Sequence, residues 1–264
     1  MIRKSVKKIG ISIAILTFGM LVGSSFSKLS AVQTAMPKSE NKQEKARKEA
    51  YQSILENLYS NRILDEEDYS FEADFCDISK NQFAIYDIDR DGRDELIIQY
   101  TQTQAKAVMT TIIYDFDENL GKVYKQLSEF PSLTFYNNGI IEAKWSNNQG
   151  YSGDKLSPYT LYQYDKATDT YTQVAWVDAW DRSVSEKGDN DLSFPEQADI
   201  DKDGIVYYIM KEGKYSLKEP VDEKEYNEWR NSYIGESEKV NIPFLNLTQE
   251  NINIGENNEK ETIK

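Results

Sequence analysis

Histidine is absent from these 264 residues and cysteine occurs once, at Cys76. Without histidine no Ser-His-Asp or Cys-His nucleophilic pair can be assembled, and no imidazole can ligate zinc, haem or iron. A single cysteine excludes an intrachain disulfide and any thiolate cage for zinc or an iron–sulfur cluster. Positive charge is also short: 31 Lys and Arg face 45 Asp and Glu, a formal net charge of −14. Nucleic acid and anionic lipid both require a basic face, so neither is expected as a partner. The sequence has no G-x-S-x-G elbow and no Gly-rich phosphate cradle. Oxygen-ligand chemistry is what these absences leave open: hard cations held by carboxylates, or acid–base work by paired carboxylates.

Long hydrophobic runs are scarce too. The apolar stretch from Ile9 to Val22 follows Arg3, Lys4, Lys7 and Lys8 and precedes Gly23, Ser24, Ser25 and Ser27. It is shorter than the roughly 20 residues that span a bilayer, so it reads as the h-region of a secretory signal peptide. No A-x-A site stands out; Ser25-x-Ser27 is the best cleavage candidate, and retention as an N-terminal anchor stays open. Residues 1–35 are therefore expected to be signal peptide and the start of a linker, and 36–45 a polar linker. Residues 46–254 are expected to form one β-rich domain, and 255–264 a disordered tail. Removing residues 1–35 removes five basic side chains, leaving 26 basic against 45 acidic, a net −19. The expected destination is outside the cell or on its surface, with no membrane contact once the signal is cleaved. A secreted domain without disulfides needs another staple, and bound metal is the usual substitute.

The expected fold class is α+β, mostly β: an antiparallel meander flanked by two helices. Ala46, Ala50, Ile54 and Leu58, with Tyr51, Leu55 and Tyr59 beside them, mark one face of an amphipathic helix over about 40–60. Asp65-Glu66-Glu67-Asp68 reads as a solvated loop. From Asn81 to Tyr215 short β-branched and aromatic runs alternate with turn signals: FAIY, ELIIQY, VMTTIIYDF, KVYKQLSEF, LTFY, GIIEAKW, YTLYQY, TYTQVAWV, GIVYYIM and KYSL. Asn138-Gly139 predicts a type I′ hairpin turn. A second helix is expected from Asp222, with Asp222 and Glu225 as a capping box, Val221 and Tyr226 as the staple, and Gly235 as the stop.

One segment carries recognisable chemistry: Asp87-Ile88-Asp89-Arg90-Asp91-Gly92-Arg93-Asp94-Glu95. Carboxylates at positions 1, 3, 5 and 9, with glycine at 6, converge on one point as the chain curls, which is how a loop wraps Ca²⁺. Position 7, Arg93, would lend its carbonyl oxygen and leave its side chain free to face solvent. Strand-like runs bracket the loop, and position 12 is Ile98 where an EF-hand needs a bidentate Glu, so this is not an EF-hand. The competing reading is an acidic turn without metal. Mg²⁺ catalysis fits less well, since such sites use few carboxylates and hold phosphates.

DIDRDGRDELII resembles the D-x-D-x-D-G-x-x-[DE]-L-I signature of FG-GAP/VCBS-type repeats, the calcium loops also found in integrin α-subunit propellers. It is especially similar to a group of secreted Firmicutes proteins that combine a signal sequence, one such loop and a Tyr-rich meander. The resemblance implies Ca²⁺ bound by Asp87, Asp89, Asp91, Glu95 and the Arg93 carbonyl. It covers Phe83 to Tyr100 closely and the remainder only in composition. Asp199-Ile200-Asp201-Lys202-Asp203-Gly204 repeats the first half, but its ninth position is Tyr207, which predicts weak binding or none. One complete loop and one incomplete one do not make a propeller.

Trp145, Trp176, Trp180 and Trp229 could stack sugars, with Trp176 and Trp180 the best placed, though core packing is the commoner use of aromatics in a meander. The function expected is a secreted, non-catalytic, Ca²⁺-stabilised module for an extracellular protein or glycan. The alternative is a secreted carboxylate-based hydrolase such as a glycoside hydrolase, for which no pair among so many acids has a distinguishing context.

Overall fold

A computed structural model describes residues 42–63, 76–103, 109–145, 151–188, 191–211 and 213–253. The expected signal peptide, the acidic loop at 65–68 and the expected disordered tail lie outside these residues. The first apolar stripe forms helix α1, Lys42–Asn61, which begins inside the segment expected to be linker. Its deepest line is Arg47, Tyr51, Leu55 and Leu58, one residue round from the expected centre; Ala46, Ala50 and Ile54 flank it. Buried aliphatic and aromatic side chains such as Leu55 and Leu58 contribute roughly 1.5–3 kcal/mol each by leaving water. No helix among the described residues is long and apolar enough to cross a membrane.

The strands follow the expected runs. They are β1 Gln82–Tyr86, β2 Glu95–Tyr100, β3 Thr110–Asp117, β4 Lys122–Glu129, β5 Leu133–Phe135 and β6 Ile140–Lys144. Then come β7 Tyr159–Asp165, β8 Thr170–Asp181, β9 Ile205–Met210, β10 Pro220–Val221 and β11 Leu245–Asn246. Every ladder between these strands is antiparallel, but the meander is split in two: one sheet runs β11-β1-β2-β3-β4, the other β10-β9-β8-β7-β6-β5. The break falls at Phe130-Pro131-Ser132, where proline offers no ladder donor.

Alternation along the strands then decides the layers. Phe83, Leu96, Ile98, Ile112, Tyr114 and Phe116 pack on α1. Ala84, Ile97, Ile113 and Leu127 point the other way and meet Phe135, Ile141 and Tyr171 of the second sheet. Strand β2 is therefore covered on both faces, which is why Glu95 through Ile98 are all buried. The second sheet's outer face, with Leu161, Val177, Ala179 and Tyr207, is covered by helix α2, Glu223–Tyr233.

Three local expectations are corrected. At the β5–β6 turn only Gly139 has positive φ (79°), and its N–H donates to Tyr136 O at 3.1 Å, so the connection is longer than a type I′ pair. Asn138 instead sends its amide to Tyr233 O (2.8 Å). KYSL is not a strand: Tyr215 turns aside to hydrogen-bond Asp178 (2.9 Å). Asp222 sits at the N-cap of α2 but its side chain makes no cap bond, because its Oδ1 accepts from Ile200 N–H at 3.2 Å. The staple pair Val221 and Tyr226 does share one cluster, and Gly235 (φ 53°) follows the helix end. A last short helix, α3, spans Gln249–Ile252 and buries Ile252 beside α1.

Candidate metal centre

The β1–β2 register pairs Tyr86 with Glu95, so the acidic loop is the connection of this hairpin. Its curl is built from carboxylates accepting nearby backbone N–H groups. Gly92 N–H donates to Asp87 Oδ2 (3.2 Å), Asp91 N–H to Asp89 Oδ1 (3.0 Å), Arg93 N–H to Asp91 Oδ1 (2.7 Å) and Ile88 N–H to Glu95 Oε2 (2.8 Å). Arg90 (φ 63°) and Gly92 (φ 97°) take the left-handed conformations the curl demands. One carboxylate oxygen from each of Asp87, Asp89, Asp91 and Glu95 lies within 4.8 Å of the others. That is about the separation of opposite ligands on a Ca²⁺ whose bonds are roughly 2.4 Å. Asp87 Oδ1, Asp89 Oδ2 and Glu95 Oε1 are buried without a hydrogen-bond partner.

Such an arrangement is costly when empty of positive charge. Two unit charges 4.8 Å apart repel by roughly 3.5 kcal/mol at an effective dielectric of about 20. The protein alone meets this by protonation. Burial first, then Asp89, Asp115 and Asp87, push Glu95 up to about 10, and burial pushes Asp89 up to about 6. A bound cation would reverse that logic by favouring the ionised forms.

The Arg93 side chain does not face solvent as expected. Its Nε donates to Asp91 Oδ2 (2.6 Å), and its guanidinium also reaches Asp169 Oδ2 (2.5 Å) and Asp115 Oδ2 (3.3 Å). The reason is supply: three carboxylates converge there and Arg93 is the cation that partners them, a fork well suited to the task. Asp115 is wholly buried on β3 and also accepts from Tyr124 OH (2.9 Å). Asp169 sits at positive φ (56°) in the β7–β8 turn and accepts from Tyr164 OH (2.7 Å). Arg93 thus joins the loop of one sheet to a turn of the other. Tyr51 of α1 completes the setting by donating to Asp94 O (3.0 Å). Sequence reasoning missed Asp115 and Asp169. Asp115 had a signal, being an acid within the apolar run TTIIYDF; Asp169 had none beyond its turn.

The second loop also gathers its acids: Asp199, Asp201 and Asp203 offer oxygens within 4.8 Å of one another. Tyr207, at the ninth position, is no ligand; its ring stacks on Tyr226 with centroids 4.4 Å apart. The tryptophans mostly pack. Trp180 is fully buried and donates to Ser185 O (2.8 Å), while Trp145 and Trp176 meet edge to face at 5.7 Å. Trp176 and Trp180 share a face as expected, and Trp229 packs with α2's cluster. No family model, no curated protein and no solved structure matches this chain.

Proposed function

We propose that this chain is a secreted, non-catalytic module in which Ca²⁺, held by Asp87, Asp89, Asp91, Glu95 and the Arg93 carbonyl, rigidifies a β-rich scaffold. The scaffold then presents a surface to an extracellular protein or glycan. The observation that carries the metal reading is the set of three buried, unpartnered oxygens on Asp87, Asp89 and Glu95. Buried polar atoms without partners are rare, and three on carboxylates that gather within 4.8 Å ask for a shared ligand. Carboxylates in this number suit a hard cation with several oxygen ligands. Extracellular sites of the kind bind at about 10⁻⁴–10⁻³ M, which suits standing occupancy outside a cell.

Thermal unfolding of the protein with EDTA or with millimolar Ca²⁺ tests this. Ca²⁺ at about 10 mM, roughly ten- to a hundredfold over that Kd, should raise the midpoint by several degrees, since about 1.4–2.7 kcal/mol is then gained. Asp89→Asn, which keeps the acceptor for Asp91 N–H, should cut most of that gain. Identical melting curves in EDTA and Ca²⁺ would sink the proposal.

A further inference from the structure

The loop from Asp199 repeats the loop from Asp87 bond for bond. Gly204 N–H donates to Asp199 Oδ2 (3.1 Å), Asp203 N–H to Asp201 Oδ1 (3.1 Å) and Ile205 N–H to Asp203 Oδ1 (2.7 Å). Each has its counterpart in the first loop within about 0.1 Å. Lys202 (φ 63°) and Gly204 (φ 82°) match Arg90 and Gly92. The correspondence extends to the closing carboxylate. In the first loop the N–H of the second residue, Ile88, donates to Glu95 (2.8 Å); in the second loop the same N–H, on Ile200, is shared between Asp222 Oδ1 (3.2 Å) and Ala198 O (3.1 Å). Asp222 therefore stands against this backbone where Glu95 stands against the other, although it arrives from the start of α2 rather than from the adjoining strand.

Two observations beyond the acidic cluster point to a ligand. Asp199 is only 5 % exposed, and its Oδ1 has no hydrogen-bond partner among the described residues while Oδ2 is used by Gly204. Asp222 is only 8 % exposed and forgoes the cap bond that an N-cap aspartate ordinarily makes. From these we infer a second divalent-cation site, of the calcium class, held by Asp199, Asp201 and Asp203 and closed by Asp222 in place of Tyr207. Asp222 is not in the set of oxygens within 4.8 Å, and it is one methylene shorter than Glu95. It closes the shell through a bridging water, as position 9 of calcium loops often does.

The site is weaker than the first for two stated reasons. Asp201 and Asp203 are exposed, so their field is screened. Asp222 also stands at the N-cap of α2, so the positive end of that helix dipole lies beside the carboxylate that closes the site. Its effect is to tie the loop before β9 to the first turn of α2.

Calcium titration of the full chain by calorimetry, with native mass spectrometry to count ions, decides the matter. Wild type should bind two ions. Asp89→Asn with Glu95→Gln should leave one, the weaker. Asp222→Asn keeps an acceptor for Ile200 and removes a charge, so it should weaken the second ion at least tenfold and spare the first. Exposed Asp201→Asn serves as a second probe that leaves the fold intact, checked by circular dichroism. One ion in wild type and none in the double first-loop variant would overturn this inference while leaving the proposed function standing. Two ions with no effect of Asp222→Asn would overturn the role of Asp222. One ion retained in the double first-loop variant but abolished by Asp201→Asn, with no Ca²⁺ effect on melting, would uphold the second site and defeat the first.

Discussion

The loop between β1 and β2 lies against α1, is closed by a carboxylate from its own hairpin and is clasped by Arg93 to the second sheet. The loop before β9 has the same backbone, yet two of its three acids are exposed, its seventh position is Ile205, and its fourth carboxylate comes from another element. Comparing them separates two things that a motif conflates. The D-x-D-x-D-G spacing fixes the curl, because each aspartate caps a nearby N–H in both loops. Burial and the neighbouring cation determine how strongly the carboxylates repel, and those depend on the surrounding fold.

The largest expected consequence of that difference is pH-dependent. Glu95 titrates at about 10 in the fold against 4.5 for an ordinary Glu, so between these values the folded state holds a proton that the unfolded chain has released. Stability without metal should therefore fall as pH rises through this window, by up to about 1.4 kcal/mol per unit. Asp89, at about 6, adds to the fall at its acid end. Urea unfolding in EDTA at pH 5, 7 and 9 measures the slope. Glu95→Gln should flatten it, and a slope unchanged by that substitution would show that the first loop is not its source.

A smaller loss is expected at Arg93. Arg93→Ala leaves buried Asp115 without its guanidinium and should cost about 3 kcal/mol, read from denaturant unfolding in EDTA at pH 7. Arg93→Lys should recover little, since a point charge cannot serve three carboxylates at once. Beside the second loop Arg182 lies near Gly204 but pairs with exposed Glu196, so among the described residues no guanidinium is seen to bridge buried carboxylates there, and the smallest effect is expected at this loop. Asp222→Asn in EDTA should change stability by less than about 0.5 kcal/mol, because no cap bond is lost and the Ile200 bond is kept. A loss of 1 kcal/mol or more would mean the carboxylate charge itself supports the metal-free fold.

What could be read from sequence was local. The run ELIIQY announced a strand, and the acidic loop announced its own curl, since every bond that shapes it spans seven residues or fewer. The antiparallel order followed from short connections between strand-like runs. Unread were contacts between segments far apart. Arg93 with Asp169 joins residues 76 apart, and Ile200 with Asp222 joins residues 22 apart across β9 and β10. The phase of α1 is set by Tyr51, Leu55 and Leu58 packing on the first sheet, which carries Arg47 to the buried side, where it reaches Glu118 in the β3–β4 turn. The split into two sheets had a signal in Pro131, which breaks the ladder between two otherwise adjacent hairpins.

The clasp between Arg93 and Asp169 also sets an order of events. Closing so long a stretch of chain costs entropy before any contact offsets it, so the clasp forms after the two hairpins it connects. A hairpin loop that is complete in sequence is thus finished in space only when the second sheet has arrived. A clasp that matures this late acts chiefly on the lifetime of the folded protein and little on the speed with which it folds.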